Sequence, residues 1–207
     1  DAVRRRAVRR EPVAYIVGRK GFRHLELEVD PRVLVPRPET ELLVEVGLEL
    51  PEGARVVEVG TGSGAVALAL KHERPDLHVT GTDASAEALE VARANGERLG
   101  LDVTWARADL FDGEFDAVLS NPPYVEDAAR LAPELAHEPP EALFAGPDGL
   151  DVVRRLVERA RGVATLAVEV GDGQADAVAA LARAAGFTTV ATRRDLAGIE
   201  RVVVARC

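Results

Sequence analysis

Apolar and polar positions follow different patterns on the two sides of residue 39. Before it, apolar residues alternate with polar ones over Phe22–Val29, which predicts a single half-buried strand. The arginine-rich opening, Asp1–Arg10, has its apolar residues at helical spacing, so it predicts the last turns of a helix that Pro12 ends. The prolines of Asp30–Pro38 keep that stretch extended.

From Glu39 onward, helices and strands alternate. Apolar faces at helical spacing predict the helices Glu39–Leu50, Gly64–His72, Ala86–Leu99, Leu150–Ala160 and Gln174–Ala185. Short apolar runs predict the strands Arg55–Val59, Leu77–Thr82, Asp102–Ala106, Phe115–Ser120, Thr165–Val170, Phe187–Arg193 and Glu200–Arg206. We therefore expect an α/β fold with a twisted, mostly parallel, seven-stranded sheet and helices on both faces. No helix separates the last two strands, so a C-terminal antiparallel strand is expected at one edge.

The composition is that of a globular protein, and its charge disfavours nucleic acid as a partner. Hydrophobic residues make up 47% of the 207 residues and charged residues 29%, which excludes bulk disorder. The net charge is −9, but residues 1–37 hold ten Lys/Arg and five Asp/Glu, a charge of +5, which leaves −14 for residues 38–207. Such an acidic domain is unsuited to a phosphate backbone, and an aromatic share of 4% leaves few side chains for stacking on bases.

The cysteine, histidine and hydropathy patterns bear on the cellular setting. The single cysteine, Cys207, excludes an internal disulfide and is typical of a reducing compartment. The four histidines lack metal-ligand spacing, so no metal site is expected. No apolar run reaches the ~18 residues of a membrane helix, and there is no signal peptide. We expect a cytoplasmic protein with no membrane partner. The chain contains no methionine, so we also expect that it lacks its natural start.

A glycine loop follows the first strand of the main fold. Glycine stands at every second position of Gly60-Thr61-Gly62-Ser63-Gly64, between a predicted strand and a predicted helix. Glycine permits a tight turn and a close approach of a ligand to the backbone, while the helix presents its positive end. Asp83, at the end of the next strand, is placed to bind ribose hydroxyls. The combination predicts a site for a nucleotide-like ligand; the alternative is a plain strand-to-helix turn.

The spacing of this loop favours one ligand. It differs from the G-x-G-x-x-G form of dinucleotide sites, and Glu58 lies two residues before the first glycine. In both respects the loop resembles the S-adenosylmethionine loop of class I methyltransferases. Carboxylates at these two positions suit a ligand that carries an ammonium group and a ribose but no pyrophosphate. Asp109 is a candidate acceptor for the adenine amino group, and a solvated loop aspartate is its alternative.

The most specific motif is the turn Asn121-Pro122-Pro123-Tyr124, directly after the predicted strand Phe115–Ser120. Two prolines make a rigid turn at the sheet edge where ligands bind in open α/β folds. The Asn121 oxygen and the Pro122 carbonyl offer two acceptors for an NH₂ group, and Tyr124 offers a flat face. The turn resembles that of the amino-methyltransferases, in which orientation and electrostatics act without a strong base. The plain alternative is a proline-rigid loop that caps the strand.

Five segments in one order indicate a narrower family. They are Asp30–Leu43 (DPRVLVPRPETELL), Glu58–Gly64, Asn121–Tyr124, Gly146–Leu150 (GPDGL) and Arg194–Val202 (RDLAGIERV). Across essentially the whole chain, this arrangement resembles the peptide chain release factor N5-glutamine methyltransferases. The Asn-Pro-Pro-Tyr turn alone is shared with adenine and guanine N-methyltransferases, whereas Val33–Glu41 narrows the resemblance to the glutamine enzymes.

This resemblance implies a reaction and its residues. A methyl group passes from S-adenosylmethionine, leaving S-adenosylhomocysteine, to the side-chain amide nitrogen of the glutamine in a Gly-Gly-Gln motif of release factors. The implied cofactor contacts are Glu58, Gly60, Thr61, Gly62, Ser63, Gly64, Asp83, Asp109, Leu110 and Asn121. The implied catalytic residues are Asn121, Pro122 and Tyr124, and the implied substrate contacts are Asn121, Pro122, Pro123, Tyr124, Arg37 and Thr40. For Thr40 the alternative is that Pro38-Glu39-Thr40 forms the entry of the helix. Leu110 stands where many relatives have an aromatic residue.

The resemblance also implies that the chain consists of two parts, and two alternative functions stay open. Residues 1–35 are expected to be the remnant of an N-terminal helical domain and its short β-hairpin linker, and residues 36–207 the catalytic domain. One alternative function is N-methylation of an exocyclic amino group of a nucleic-acid base, against which the acidic charge argues. Another is a nucleotide-binding protein with an inactive site, against which the intact Asn121–Tyr124 turn argues.

Overall fold

A computed structural model describes all 207 residues, and it contains seven α-helices and nine β-strands. The helices are α1 (Ala2–Arg9), α2 (Val13–Val17), α3 (Glu41–Leu48), α4 (Ala65–Glu73), α5 (Ala86–Leu99), α6 (Asp151–Arg159) and α7 (Ala175–Ala184). The strands are β1 (Arg19–Phe22), β2 (Leu25–Glu28), β3 (Arg55–Val59), β4 (His78–Asp83), β5 (Thr104–Arg107), β6 (Ala117–Ser120), β7 (Thr165–Glu169), β8 (Thr189–Arg194) and β9 (Glu200–Arg206).

Seven of the strands form one sheet, in the order β5-β4-β3-β6-β7-β9-β8. Strands β3 to β7 run parallel, and β9 runs antiparallel to both of its neighbours, β7 and β8. The predicted mostly parallel seven-stranded sheet with a C-terminal antiparallel strand is therefore confirmed. No helix is long and apolar enough to cross a membrane.

Adjacent residues of the central strand enter opposite cores. Val56 is fully buried in a cluster with α3 and α4, whereas Val57 is fully buried in a cluster with α6 and α7. Side chains alternate between the two faces of a strand, so a strand covered on both faces consists almost wholly of apolar residues. Glu58 is the exception, since it is buried in the same strand. Helices on both faces of the sheet confirm the predicted layered α/β fold.

The single strand predicted at Phe22–Val29 is wrong. The chain instead forms an antiparallel hairpin of β1 and β2, in which Phe22 pairs with Leu25. Arg23 makes the turn in the left-handed region, at φ 49°. Arginine is not a typical turn residue, and burial still alternates along β2, so the pattern gave no sign of the reversal. The hairpin that the family resemblance implied is thereby present.

The hairpin packs directly on the main domain. Asn95 of α5 is fully buried, its Oδ1 accepts from the Glu28 amide at 2.8 Å, and its Nδ2 donates to the Glu28 carbonyl at 3.0 Å. Nδ2 also donates to the Ser63 carbonyl at 3.0 Å. One side chain therefore joins the hairpin, α5 and the end of the glycine loop. The division of the chain at residue 36 into two parts stays a prediction.

Three smaller elements fall outside the predicted pattern. Helix α2 and the 3-10 helices at Pro133–His137 and Pro140–Ala142 have at most five residues each, too few to display a period. A 3-10 turn at Pro38–Thr40 precedes α3, so that helix begins two residues later than predicted. At the far edge of the sheet, the pairing of β8 with β9 shifts register between Arg193 and Arg194.

Candidate active site

The candidate site lies where the strand order reverses at the carboxyl edge of the sheet. From β3, the chain passes to β4 on one side and β6 lies on the other, so the loops after β3 and β6 diverge around a cleft. The two loops are close neighbours, because a Cβ placed on Gly60 would lie 3.9 Å from the Asn121 carbonyl oxygen. The glycine loop and the Asn-Pro-Pro-Tyr turn therefore share one site.

Most of the predicted site residues line this cleft. Those that do are Thr40, Glu58, Gly60, Thr61, Gly62, Ser63, Asp83, Asn121 and Pro123. Sequence reasoning missed three further groups of lining residues. They are Arg32, Val33, Leu34 and Pro36, then Ser85 and Ala88 at the start of α5, and then Pro139, Glu141 and Ala142. A second proline pair, Pro139-Pro140, was the signal available for the last of these, since it fixes a rigid segment as Pro122-Pro123 does.

Glu58 forms hydrogen bonds to the glycine loop and to α4. Its side chain is buried, and its Oε2 accepts hydrogen bonds from the Thr61 hydroxyl and, at 2.9 Å, from the Ala67 amide. Burial raises the pKa of Glu58 to about 7, against the opposing effect of these donors. One carboxyl oxygen thus ties the loop to the first turn of α4, while the residue also borders the cleft. Contact with a ligand ammonium stays a prediction for Glu58.

Asp83 accepts hydrogen bonds from the backbone of the glycine loop and from the start of α5. Its Oδ2 accepts from the Gly62 amide at 3.0 Å and its Oδ1 from the Ser85 amide at 2.9 Å. Burial raises the pKa of this carboxyl group above its usual value, and the backbone donors of Gly62 and Ser85 oppose the rise. An ionised carboxylate has about four acceptor positions, so Asp83 retains capacity for hydroxyl groups of a ligand.

The three loop glycines have positive φ for different reasons. Gly60, Gly62 and Gly64 have φ values of 71°, 53° and 83°. A Cβ on Gly62 would meet no protein atom within 4 Å, so it would project into the cleft that Gly62 lines. A Cβ on Gly64 would lie 2.9 Å from the Trp105 ring, and Gly64 does not line the cleft. Gly62 therefore keeps room for a ligand, whereas Gly64 permits packing.

The Asn121 side chain has one hydrogen-bond partner in the protein. Its Nδ2 donates to the Thr40 hydroxyl oxygen at 3.1 Å, and no protein group donates to its Oδ1. The carbonyl oxygen of Pro122 likewise accepts no hydrogen bond from the protein. Pro122 itself is buried, and Pro123 borders the cleft. These two oxygens therefore have no donor from the protein, and they lie next to the glycine loop; their contact with a substrate NH₂ group stays a prediction.

Tyr124 is fixed by close backbone packing. Its carbonyl oxygen accepts from the Gln174 Nε2 at 3.0 Å. A Cβ on Gly149, which has φ 71°, would lie 2.2 Å from the same oxygen, so only glycine allows this approach. Burial raises the pKa of Tyr124, and the nearby Glu169 adds to the rise. Tyr124 is not among the residues that line the cleft, so its contact with a substrate stays a prediction.

Arg37 forms an ion pair with the buried Glu138. Its guanidinium lies 2.6 Å from the Glu138 Oε1, and the Glu138 side chain is only 2% exposed. The Glu138 Oε2 accepts from the Val35 amide at 3.2 Å. The pair thus fastens the extended Val33–Arg37 stretch to the segment that precedes Pro139. Direct contact of Arg37 with a substrate stays a prediction.

Asp109 and Leu110 lie outside the cleft lining. Asp109 is exposed and forms an ion pair with Arg155 at 2.5 Å. Leu110 has φ 80°, and its carbonyl accepts from the Thr82 hydroxyl at 2.6 Å, which fixes the chain just after β5. Their predicted contacts with adenine stay predictions. No group of three or more His, Cys, Asp or Glu side chains is arranged to hold a metal ion.

Comparison with known proteins assigns the class. A family model described as the methyltransferase small domain matches residues 38–181. A methyltransferase from Pyrococcus furiosus has the same fold, with a TM-score of 0.68 at 20% identity over 88% of each chain. Together with the glycine loop and the turn after β6, these matches define a methyltransferase domain.

Relatives over nearly the whole chain give the family. Release factor glutamine methyltransferases from Coxiella burnetii and Gloeobacter violaceus are 41% and 46% identical, over 98% and 97% of this chain and 77% and 76% of theirs. The structure of a release factor-specific protein-(glutamine-N5) methyltransferase from Alicyclobacillus acidocaldarius is 33% identical, covers 86% of this chain and 98% of its own, and has a TM-score of 0.51. The chain belongs to the release factor glutamine methyltransferase family.

The raised pKa of Glu58 predicts a pH-dependent stability of the ligand-free protein. A raised folded-state pKa means that the folded state binds the proton more tightly, so the stabilising contribution is complete below about pH 4.5 and is lost as the pH rises through about 7. Glu58→Gln removes this titration. The free energy of unfolding of the wild type, relative to Glu58→Gln, is expected to be larger at about pH 5 than at about pH 9 by urea denaturation.

Glu169, whose pKa is raised to about 7 as well, acts equally in both proteins and cancels in this comparison. A wild-type advantage that stays constant between the two pH values contradicts the prediction.

Proposed function

We propose that this protein transfers a methyl group from S-adenosylmethionine to the side-chain amide nitrogen, N5, of a glutamine in peptide chain release factors. The family membership supports this substrate, and the observation that carries the proposal is the pair of free acceptors at the edge of the cleft. These are the Asn121 Oδ1 and the Pro122 carbonyl oxygen. Release factors act in the cytoplasm, and we place the enzyme there with its substrate.

The donor set of the cleft fits S-adenosylmethionine. Asp83 has acceptor capacity for ribose hydroxyls, Glu58 is a carboxyl group for the ammonium, and Gly62 leaves its side of the cleft without a side chain. S-adenosylmethionine has no pyrophosphate, so two carboxyl groups close to the loop do not repel it. When bound, this cofactor supplies an electrophilic methyl group on a sulfonium sulfur.

The turn supplies orientation for the methyl acceptor. A side-chain amide nitrogen is a weak nucleophile because its lone pair is delocalised into the carbonyl group. Two acceptors aligned with its N–H bonds favour a pyramidal nitrogen and direct the lone pair toward the cleft. Asn121 is uncharged, so it stabilises the developing positive charge through its amide dipole and does not take up a proton. The proton that the nitrogen loses on methylation passes to water. Pro122 and Pro123 keep the second acceptor rigid.

The decisive experiment maps the transferred methyl group. The protein is incubated with labelled S-adenosylmethionine and a purified release factor, and the label is located by mass spectrometry of peptides. Label is expected on the glutamine of the Gly-Gly-Gln motif, and a release factor in which that glutamine is replaced by alanine serves as the control. Label in RNA or DNA, or cofactor binding without any transfer to the release factor, contradicts the proposal.

Asn121→Ala is expected to lower the turnover number by more than about tenfold, because one of the two aligned acceptors is lost. Cofactor affinity is expected to fall less, since the glycine loop and Asp83 are unchanged. Steady-state kinetics and isothermal titration with S-adenosylmethionine measure the two effects. Glu97→Ala, at an exposed position of α5, is the control. Turnover of Asn121→Ala equal to that of the wild type removes Asn121 from the proposed role.

Gly62→Ala is expected to weaken cofactor binding by about tenfold or more, because its methyl group would occupy the cleft. Gly100→Ala is a matched control, since Gly100 closes α5 at φ 66° and a Cβ there also meets no protein atom within 4 Å. The two variants carry a similar backbone strain, so their loss of stability is expected to be similar. Equal cofactor affinity of the two variants by isothermal titration refutes this assignment of the cleft.

A further inference from the structure

Two segments that are far apart in the chain supply most of the apolar surface of the cleft. They are residues 32–36 and residues 139–142, and we call them the cover segments. Of the apolar lining side chains larger than alanine, all but Pro123 belong to these segments, and they are Val33, Leu34, Pro36 and Pro139. The position of the cover segments therefore determines how much apolar surface of a bound ligand is removed from water.

Glu138 joins the two cover segments. It directly precedes Pro139, and its side chain is buried. Its Oε2 accepts from the Val35 amide at 3.2 Å, and its Oε1 accepts from the Arg37 guanidinium at 2.6 Å. These are the only hydrogen bonds or ion pairs between residues 32–37 and residues 138–142. One carboxyl group thus fastens the first cover segment to the second.

Successive residues of the first cover segment face different cavities. Leu34 and Pro36 line the cleft, whereas Val35 and Arg37 line a second cavity together with Glu138. Alternate residues of an extended chain point to opposite sides, which explains this division. Glu138 does not line the cleft itself. It can affect a ligand in the cleft only through the segments that it holds.

We propose that Glu138 is a positioning residue for the cofactor, because it holds both cover segments at the cleft through Val35 and Arg37. The inference rests on the proposed function for the identity of that cofactor, S-adenosylmethionine. Without these contacts the cover segments separate more easily, and water reaches the bound cofactor. Water weakens the polar contacts of the cofactor and hydrates its apolar surface, so the cofactor dissociates faster.

Stability alone is a weak reason for a buried ion pair at this place. Burial of a carboxylate costs free energy, and the attraction of its partner offsets that cost only in part. Arg37 is 31% exposed, so solvent screens the pair from one side. The contacts are directional, however, and fix the Val35 backbone relative to Pro139. A binding surface needs such fixed geometry.

Isothermal titration with S-adenosylmethionine alone tests this role. Arg37→Met and Glu138→Gln are each expected to raise the Kd about tenfold at unchanged stoichiometry, with most of the change in the dissociation rate measured by stopped flow. Glu138→Gln places an N–H group against one of two donors and leaves no carboxylate buried without its partner. Arg37→Lys keeps a charge beside Glu138 and is expected to restore the Kd to within about threefold. Because no release factor is present, a contact of Arg37 with the methyl acceptor does not enter the measurement.

The ion pair of Arg23 with Glu73 is the matched control. Their side chains are 14% and 16% exposed, the Arg23 Nη2 lies 2.8 Å from the Glu73 Oε2, and neither residue lines the cleft. Arg23→Met and Glu73→Gln are expected to lose a similar amount of stability in urea denaturation. Their Kd for S-adenosylmethionine is expected to change by less than about twofold.

A Kd for Arg37→Met and Glu138→Gln no higher than that of the two control variants overturns the positioning role. A fall in stoichiometry at unchanged Kd overturns it as well, because that is the signature of a purely structural residue. Glu138→Gln decides the test if Arg37→Met does not fold. A wild type that binds no S-adenosylmethionine refutes both this role and the proposed function. Binding that depends on Glu138 as expected, without methyl transfer to the release factor, refutes only the proposed function.

Discussion

The parallel pairing of β3 with β6 brings the glycine loop and the Asn-Pro-Pro-Tyr turn together. Because the two strands run in the same direction, their carboxyl ends lie at one edge, and the Ser120 hydroxyl donates to the Val59 carbonyl at 2.8 Å just before the loops diverge. The sequences of the two loops are separated by about sixty residues, yet the pairing leaves Gly60 and Asn121 as neighbours. Neither loop alone forms the cleft, so the methyl donor and the acceptor group can meet only because of this register.

Two buried glutamates fasten different segments around the cleft. Glu58 holds the glycine loop, and Glu138 holds the extended stretch before α3 through the Val35 amide and Arg37. Buried carboxyl groups cost free energy even when they are paired. Stability comes instead from the two apolar clusters on the faces of the sheet. The fold thus stabilises a polar arrangement that would not be favourable by itself.

The main fold follows from local sequence patterns, whereas several contacts of the site do not. Val56 and Val57 reveal a strand buried on both faces, and the prolines at Pro122–Pro123 mark the turn without reference to any other segment. The turn at Arg23 was missed because no glycine or asparagine marks it. Arg37 and Glu138 are separated by 101 positions, and nothing local indicates that they pair. The same is true of Thr40 and Asn121, since only tertiary packing brings the start of α3 to the turn after β6.

The direction of a side chain is a second property that the sequence does not show. Glu58 stands two residues before the first loop glycine, a position that suggested a ligand contact, and the structure shows one of its oxygens occupied by Thr61 and the Ala67 amide. Asp83 faces the loop in a similar way through the Gly62 amide. Residue type and spacing place the carboxyl groups at the site. Which of their oxygens bind protein groups, and which stay free for a ligand, depends on the folded backbone.

The outer strand β8 has a consequence for the behaviour of the protein in concentrated solution. A free sheet edge exposes unpaired amide and carbonyl groups, and such an edge is a template for aggregation through strand addition. The register shift between Arg193 and Arg194 interrupts the flat row of these groups, and the two arginines form ion pairs with Glu49 and Glu200 beside it. A second copy approaching edge to edge would meet a mismatched ladder beside charged side chains that are already paired within the chain, so the β8 edge is a poor template for strand addition.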